Sequence, residues 1–269
     1  MTWPRSELTV DGVDWSWYNQ IGNSGKRPIR VAEFVQLNPN IEVYWLRACW
    51  PSGAVDKLYA TYYDAVLAAG RKVAAYVWPN VTLPIATVKE NWKRALGDGV
   101  PPLVVADFED PRYGRDNAEI TGDVHRSLPA LAETFPTAVI AAYGRASWLD
   151  EHLRVPPPAG FPWIVAHYPL PYFSPEYRQY KTHAELHRHL PVGNSFTPQL
   201  GKRLAQTQIV GWQFSEYGFL PGWNKRMDLD SFDASFIASA YGEHPGPMPL
   251  EDRVTRLEEE ALAHDWILA

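Results

Sequence analysis

Short apolar segments alternate with helical segments along the chain, and this alternation restricts the fold more than any other feature. β-Branched and aromatic runs predict strands at 43–50, 72–78, 102–110, 137–144, 161–168, 208–215 and 226–232. Helical spacing is found at 54–70, 85–96 and 123–135, the last with Pro129 marking a kink. More than six strands without a Gly-rich phosphate loop favour an α/β barrel with a largely parallel sheet.

Polar and aromatic residues stand at the C-terminal ends of these predicted strands. They are Arg47, Tyr76, Asp107, Glu109, Tyr143, His167, Tyr168 and Gln213. Barrel enzymes carry their reactive groups at this end of the barrel. The pattern therefore predicts that these side chains share one site.

The segment VVADFED, residues 104–110, places three carboxylates at the end of an apolar strand. Residues two apart in a strand face the same way, with Cα atoms about 6.6 Å apart. Asp107 and Glu109 are therefore expected on one face, and Asp110 on the other. Neighbouring carboxylates raise one another's pKa, which suits general acid catalysis and the cleavage of glycosidic bonds. Metal ligation, or pairing with arginines, would also explain the pattern.

Two other segments contribute candidate site residues. VDGVDWSWYNQ, residues 10–20, adds the carboxylate of Asp14, although Asp14 would also serve as a helix cap and Asp11 as a turn residue. The segment 210–232 supplies Trp212, Gln213 and Asp228.

Composition narrows the classes of ligand. The chain has 12 Trp and 14 Tyr, and aromatic residues in such numbers either fill a core or line a groove for sugars. A net charge of −6 without a basic run argues against nucleic acid. The single cysteine, Cys49, excludes a disulfide within the chain. We expect no membrane span and no signal peptide, because neither apolar pattern occurs.

The composition changes near residue 242. Residues 1–241 are expected to form the barrel, and the Pro- and Gly-rich segment 242–249 a linker. In 250–269 apolar residues alternate at spacings of four and three, which predicts an amphipathic helix. This helix would dock on the barrel, join chains as a short coiled coil in a homo-oligomer, or fray.

The ordered set of motifs resembles glycoside hydrolase family 25, the Chalaropsis-type lysozymes, which include phage endolysins and secreted muramidases. The resemblance covers residues 9–236. Its motifs are GVDWS (12–16), the strand ending at Arg47-Ala48, KVAAYVW, PLVVADFED, VIAAYG, PWIVAHY, VGWQFSEYGFLPG and MDLDSF. It implies the irregular (β/α) barrel of that family and cleavage of the β-1,4 bond between N-acetylmuramic acid and N-acetylglucosamine, without a cofactor.

The resemblance also implies residue roles. Glu109 would be the general acid, and Asp107 would stabilise the transition state or orient the substrate's acetamido group. Asp14 and Asp228 would complete an acidic cluster. The implied substrate-binding residues are Tyr76, Tyr143, Tyr168, Trp212, Gln213, Arg47 and Trp78. Double displacement, inversion and a neighbouring-group route through the N-acetyl group all remain open, and we favour the last because Asp107 and Glu109 are neighbours on one strand.

The sequence departs from the family at two places near the expected groove. Tyr-Val-Trp (76–78) replaces the common Tyr-His-Phe, and Arg-Ala-Cys-Trp-Pro (47–51) replaces Lys-Ala-Thr-Glu-Gly. An inserted segment, 175–191, carries His183, His187 and His189, which we interpret as surface residues and not as a metal site.

Three functions are compatible with this pattern, and the third, a hydrolase acting on another amino-sugar polymer, is the least favoured. The first is an endolysin, synthesised in a host cytoplasm and acting on bacterial peptidoglycan after holin-type release, with secretion as the less favoured route. The second is a virion or interaction protein that binds glycan with little turnover.

Overall fold

The computed structural model describes residues 9–16, 29–79, 82–109, 115–168, 201–205, 208–218, 220–223 and 227–243. The inserted segment at 175–191 and the C-terminal helix at 250–269 lie outside these ranges. So does most of the expected linker, from residue 244 onward, and so does Asp110.

Eight strands close into one barrel in chain order. They are β1 Thr9–Trp15, β2 Ile41–Cys49, β3 Lys72–Val77, β4 Leu103–Asp107, β5 Val139–Arg145, β6 Trp163–Ala166, β7 Ile209–Gly218 and β8 Met227–Asp233. Strands β1 to β7 pair in parallel, whereas β8 runs antiparallel to both β1 and β7. The predicted barrel is confirmed, and the reversed last strand brings the beginning of β8 to the C-terminal end of the others.

The described helices follow the strands around the outside of the barrel. They are α1 Val31–Leu37, α2 Tyr59–Ala68, α3 Ile85–Leu96, α4 Asn117–Thr134, α5 Ala146–His152 and α6 Ala234–Ala240. Helix α2 begins later than predicted because residues 50–56 turn back on β2. There the Trp50 N–H donates to the Ala54 carbonyl (2.9 Å) and Val55 bridges to Cys49. Within the described ranges, no helix combines the length and apolar character needed to cross a membrane.

Helix α4 begins at Asn117, six residues before the predicted start, because Asp116 caps it. The Asp116 carboxylate accepts from the N–H groups of Ala118 (2.7 Å) and Glu119 (3.0 Å). The Glu119 carboxylate in turn accepts from the Asp116 N–H (3.0 Å), which completes a capping box. The helix continues through Pro129 to Thr134.

Removal of this cap is expected to destabilise the protein modestly. In Asp116→Ala the N–H groups of Ala118 and Glu119 lose their hydrogen-bond acceptor, so the first turn of α4 becomes less stable. Urea unfolding of the two proteins measures the difference. A midpoint that does not move would show that α4 does not depend on the capping box.

The core has two layers because side chains alternate along each strand. Tyr76, Tyr143, Trp45 and Phe232 point into the barrel, where Trp45 contacts the other three rings at centroid distances of 5.4–6.1 Å. The residues between them, such as Val77, pack outward against the helices. The interior is therefore filled with side chains, and its aromatic rings cluster toward the end at which the parallel strands finish.

Candidate active site

A pocket of about 210 Å³ opens at the C-terminal ends of the parallel strands. Seven of the eight strands contribute side chains from within their bounds, and Tyr168 follows the end of β6. The pocket is lined by Asp14, Ser16, Trp45, Arg47, Tyr76, Trp78, Asp107, Glu109, Tyr143, Arg145, Tyr168, Gln213, Glu216 and Asp228. The four predicted catalytic carboxylates and six of the seven predicted substrate-binding residues thus meet in one place.

Strand geometry brings the four carboxylates together. Asp14 in β1 pairs with Asp228 in the antiparallel β8. Asp107 ends β4, and Glu109 follows it on the same side, since both line the pocket. Phe108 points the other way and packs on Trp163, with ring centroids 6.0 Å apart. The hydrogen bond from the Phe108 N–H to the Tyr143 carbonyl (2.9 Å) extends the strand-like geometry past Asp107.

The pKa of Asp14 is raised well above its usual range. Desolvation of the carboxyl group is the main cause, and the charges of Asp230 and Glu109 add to it. The hydrogen bond with Tyr76 and the positive charge of Arg47 act in the opposite direction. Asp14 therefore holds its proton more strongly than a carboxyl group in water does.

We expect Asp14→Asn to stabilise the fold at neutral pH. The carboxyl ionises near pH 3.8 in the unfolded chain and at higher pH in the folded one, so stability falls as the pH rises through that window. Each pKa unit of the rise corresponds to about 1.4 kcal/mol. Chemical denaturation at pH 7 and at pH 3 measures the effect. The asparagine variant should be more stable than the wild type at pH 7 but not at pH 3. An equal gain in unfolding free energy at both pH values would contradict this explanation.

Three tyrosine hydroxyls line the pocket, and each has a protein partner. Tyr76 shares a hydrogen bond with Asp14. Tyr143 and Tyr168 both donate to the Gln213 side-chain oxygen, at 2.8 and 2.7 Å. Burial raises the pKa of all three phenols, and the neighbouring carboxylates raise it further. The tyrosines are therefore neutral hydrogen-bonding groups.

Arg47 places a positive charge in the wall of this acidic pocket. Its Nε donates to the Asp56 carboxylate (3.0 Å), and both side chains are buried. The guanidinium lies over the Trp50 ring, 3.4 Å from the centroid. Arg47 is thus held from two sides, and the departure from the family sequence at 47–51 forms part of this arrangement.

The prediction that Trp212 lines the groove is wrong. Its side chain is fully buried between the barrel and the outer layer, where its Nε1 donates to the His167 carbonyl (2.7 Å) and its ring contacts Phe214. Side chains alternate along β7, so when Gln213 faces the pocket, Trp212 faces the other way.

Sequence reasoning missed four pocket residues and one residue in contact with the pocket's side chains. They are Ser16, Trp45, Arg145, Glu216 and, hydrogen-bonded to Trp45, Asp230. Ser16, Trp45, Arg145 and Asp230 each stand two positions from a predicted residue on the same strand, so the strand period would have found them. Glu216 follows a register shift in β7, which hides it from that rule.

Within the described part of the chain, the His, Cys, Asp and Glu side chains form no group of three or more with the arrangement of a metal site. The histidines of the 175–191 segment lie outside the described ranges.

Comparison with known proteins defines the fold. No protein-family model matches the sequence, and no curated protein does. A family 25 glycosyl hydrolase from Bacillus anthracis superposes with a TM-score of 0.58 at 14% identity over 89% of this chain and 95% of that one. The CTP1L endolysin gives 0.59 at 18% identity, over 88% and 71%. The autolysin LytC from Streptococcus pneumoniae, solved with a synthetic peptidoglycan ligand, gives 0.54 at 14% identity, over 85% and 48%. The chain therefore has the barrel fold of the family 25 glycosyl hydrolases.

Proposed function

We propose that this protein is a peptidoglycan muramidase that hydrolyses the β-1,4 bond between N-acetylmuramic acid and N-acetylglucosamine. The observation that carries the proposal is the convergence of Asp14, Asp107, Glu109 and Asp228 in one pocket at the C-terminal end of the barrel. A carboxylate cluster beside aromatic side chains suits glycoside hydrolysis. The shared fold supports it, because LytC, part of which has this barrel fold, was solved in complex with a synthetic peptidoglycan ligand.

We further propose that the protein acts as an endolysin, as CTP1L does on this fold. It would be synthesised in the cytoplasm of a host bacterium and reach the cell wall after release through the membrane. Its partner is the wall itself, and it needs neither a metal nor a cofactor for hydrolysis.

In the proposed mechanism Glu109 protonates the oxygen of the leaving sugar. Asp107, beside it on the same face of β4, orients the acetamido group of the substrate, whose carbonyl oxygen attacks the anomeric carbon. Water then adds to the anomeric carbon, the C–O bond of the resulting oxazoline ring breaks to restore the acetamido group, and the proton lost by the water returns to Glu109. Asp228 adds negative charge near the developing positive charge of the sugar, and Asp14 lies beside it, hydrogen-bonded to Tyr76. The tyrosines and Trp78 contact the sugar rings.

The proposal is tested by incubating the protein with purified bacterial cell walls. We expect the turbidity to fall and soluble saccharides to appear. A protein that sediments with the walls and releases nothing would instead be a glycan-binding protein on the same fold, and the enzyme proposal would fail.

A further inference from the structure

A hydrogen-bonded chain of side chains lies against the pocket and links four strands. The indole Nε1 of Trp45 donates to Asp230 Oδ2 (2.6 Å). Gln213, directly opposite Asp230 in the β7–β8 pairing, is also a hydrogen-bond partner of that carboxylate. The Gln213 oxygen accepts from the hydroxyls of Tyr143 and Tyr168. Trp45, Gln213 and Asp230 are each at most 3% exposed, so water does not supply alternative partners.

The direction of every hydrogen bond in this chain follows from its chemistry. An indole N–H can only donate, so Asp230 Oδ2 accepts from Trp45, and the Gln213 oxygen accepts from both tyrosine hydroxyls. Gln213 must therefore offer its NH₂ group to Asp230 and its oxygen to the two tyrosines. A phenol hydroxyl has one hydrogen and two lone pairs. When its O–H donates a hydrogen bond to Gln213, the phenol oxygen can only accept hydrogen bonds from other groups.

The opposite orientation of the Gln213 amide is unfavourable. It would set the amide oxygen against the oxygens of the Asp230 carboxyl group and the amide NH₂ against the two tyrosine hydroxyls, whose protons now point at Gln213. Tyr143 and Tyr168 also keep their protons, because burial and the nearby carboxylates raise the pKa of both. The two phenols are thus held in one hydrogen-bonding state.

We infer that Asp230 and Gln213 are positioning residues that fix Tyr143 and Tyr168 as hydrogen-bond acceptors toward the pocket. This wall of the pocket then selects N–H and O–H donors on the bound sugar, the acetamido N–H among them. The inference rests on the proposed function for the identity of the ligand. The hydrogen-bond directions themselves do not depend on turnover.

The chain can be reversed and restored with isosteric substitutions. In Asp230→Asn the indole of Trp45 holds the new amide oxygen, so the new NH₂ group faces Gln213. The Gln213 amide then turns over, and Tyr143 and Tyr168 become donors toward the pocket. Adding Gln213→Glu exchanges amide and carboxylate between the two positions, which returns both tyrosines to the acceptor state.

Two readouts follow these variants. One is kcat/KM on soluble peptidoglycan fragments, expected to fall about 10-fold in Asp230→Asn, as for one lost hydrogen bond, and to recover within about 3-fold in the double variant. The other is the ¹³Cζ NMR signals of Tyr143 and Tyr168, assigned with Tyr→Phe variants. We expect these signals to move in Asp230→Asn and to return in the double variant. Thermal unfolding shows that each variant is folded.

Asp123→Asn is the matched control, because Asp123 is an equally buried carboxylate on α4, paired with Arg115 (2.8 Å) and outside the pocket. It should leave both tyrosine signals in place. Unchanged signals in Asp230→Asn, or moved signals with wild-type kcat/KM, would overturn the inference, as would a folded double variant that recovers neither readout. If the wild type cleaves nothing, the proposed function fails while the NMR result still decides the hydrogen-bond directions.

Discussion

Glu109→Gln is expected to reduce the rate of cell-wall hydrolysis by about 10²- to 10⁴-fold, the range that a general acid contributes. Glutamine keeps the size and hydrogen-bonding reach of the side chain but has no proton to give to the leaving sugar. Binding to the wall should survive, because Arg47, Tyr76 and the other lining groups are unchanged. The initial rate of saccharide release and cosedimentation with purified walls measure the two effects separately.

Glu90→Gln provides the control for this substitution. Glu90 lies on the outer face of α3 and pairs with Lys93 (3.0 Å) in an exposed ion pair, which contributes little to stability. Its hydrolysis rate should equal that of the wild type. A Glu109→Gln protein that retains more than about a tenth of the wild-type rate would remove Glu109 from the role of general acid.

Asp56→Ala is expected to cost about 3–5 kcal/mol of unfolding free energy, the typical effect of leaving a buried charge without its partner. Asp56 is 2% exposed and is the ion-pair partner of Arg47. It also accepts from the Leu58 N–H (3.1 Å), at the start of α2. Urea unfolding followed by tryptophan fluorescence measures the loss.

Two further proteins distinguish the effect of breaking the Arg47–Asp56 ion pair from the effect of removing any carboxylate. Asp64→Ala removes an exposed carboxylate from α2 and should change the unfolding free energy by less than about 0.5 kcal/mol. Arg47→Met combined with Asp56→Leu removes both charges and should recover part of the lost stability. If Asp56→Ala were as stable as Asp64→Ala, the pair would not hold the pocket wall.

Seven of the eight strands and three of the six described helices could be predicted, because those segments have clear local patterns, whereas β1, α1, α5 and α6 were missed. Helix α3 was predicted at its observed bounds, since Pro84 precedes it and Gly97 ends it. Helix α2 was predicted too long, because the turn at 50–56 depends on Arg47 pairing with Asp56, and an apolar period does not show such a contact. The antiparallel direction of β8 was also missed, since the pattern of a single strand carries no information on direction.

The candidate site was predicted largely from one rule, that parallel strands finish at the same end of a barrel. That rule brought Asp107 and Glu109 together with the residues at the other strand ends before the fold was known, whereas Asp14 and Asp228 were added by the resemblance to family 25. The assignment of Trp212 to the groove, which came from the resemblance, was wrong because it disregarded the alternation that points its neighbour Gln213 inward. The roles of these residues in catalysis stay predictions until the variants are measured.

The proposal that this protein is a muramidase is tested most directly by identifying which sugar carries the new reducing ends after peptidoglycan digestion. Purified peptidoglycan treated with the wild-type protein is reduced with borohydride, and the soluble fragments are analysed by mass spectrometry. We expect new reducing ends on N-acetylmuramic acid, with none from the Glu109→Gln protein. Reducing ends on N-acetylglucosamine alone, or walls that release no saccharide, would contradict the proposal that this barrel is a muramidase.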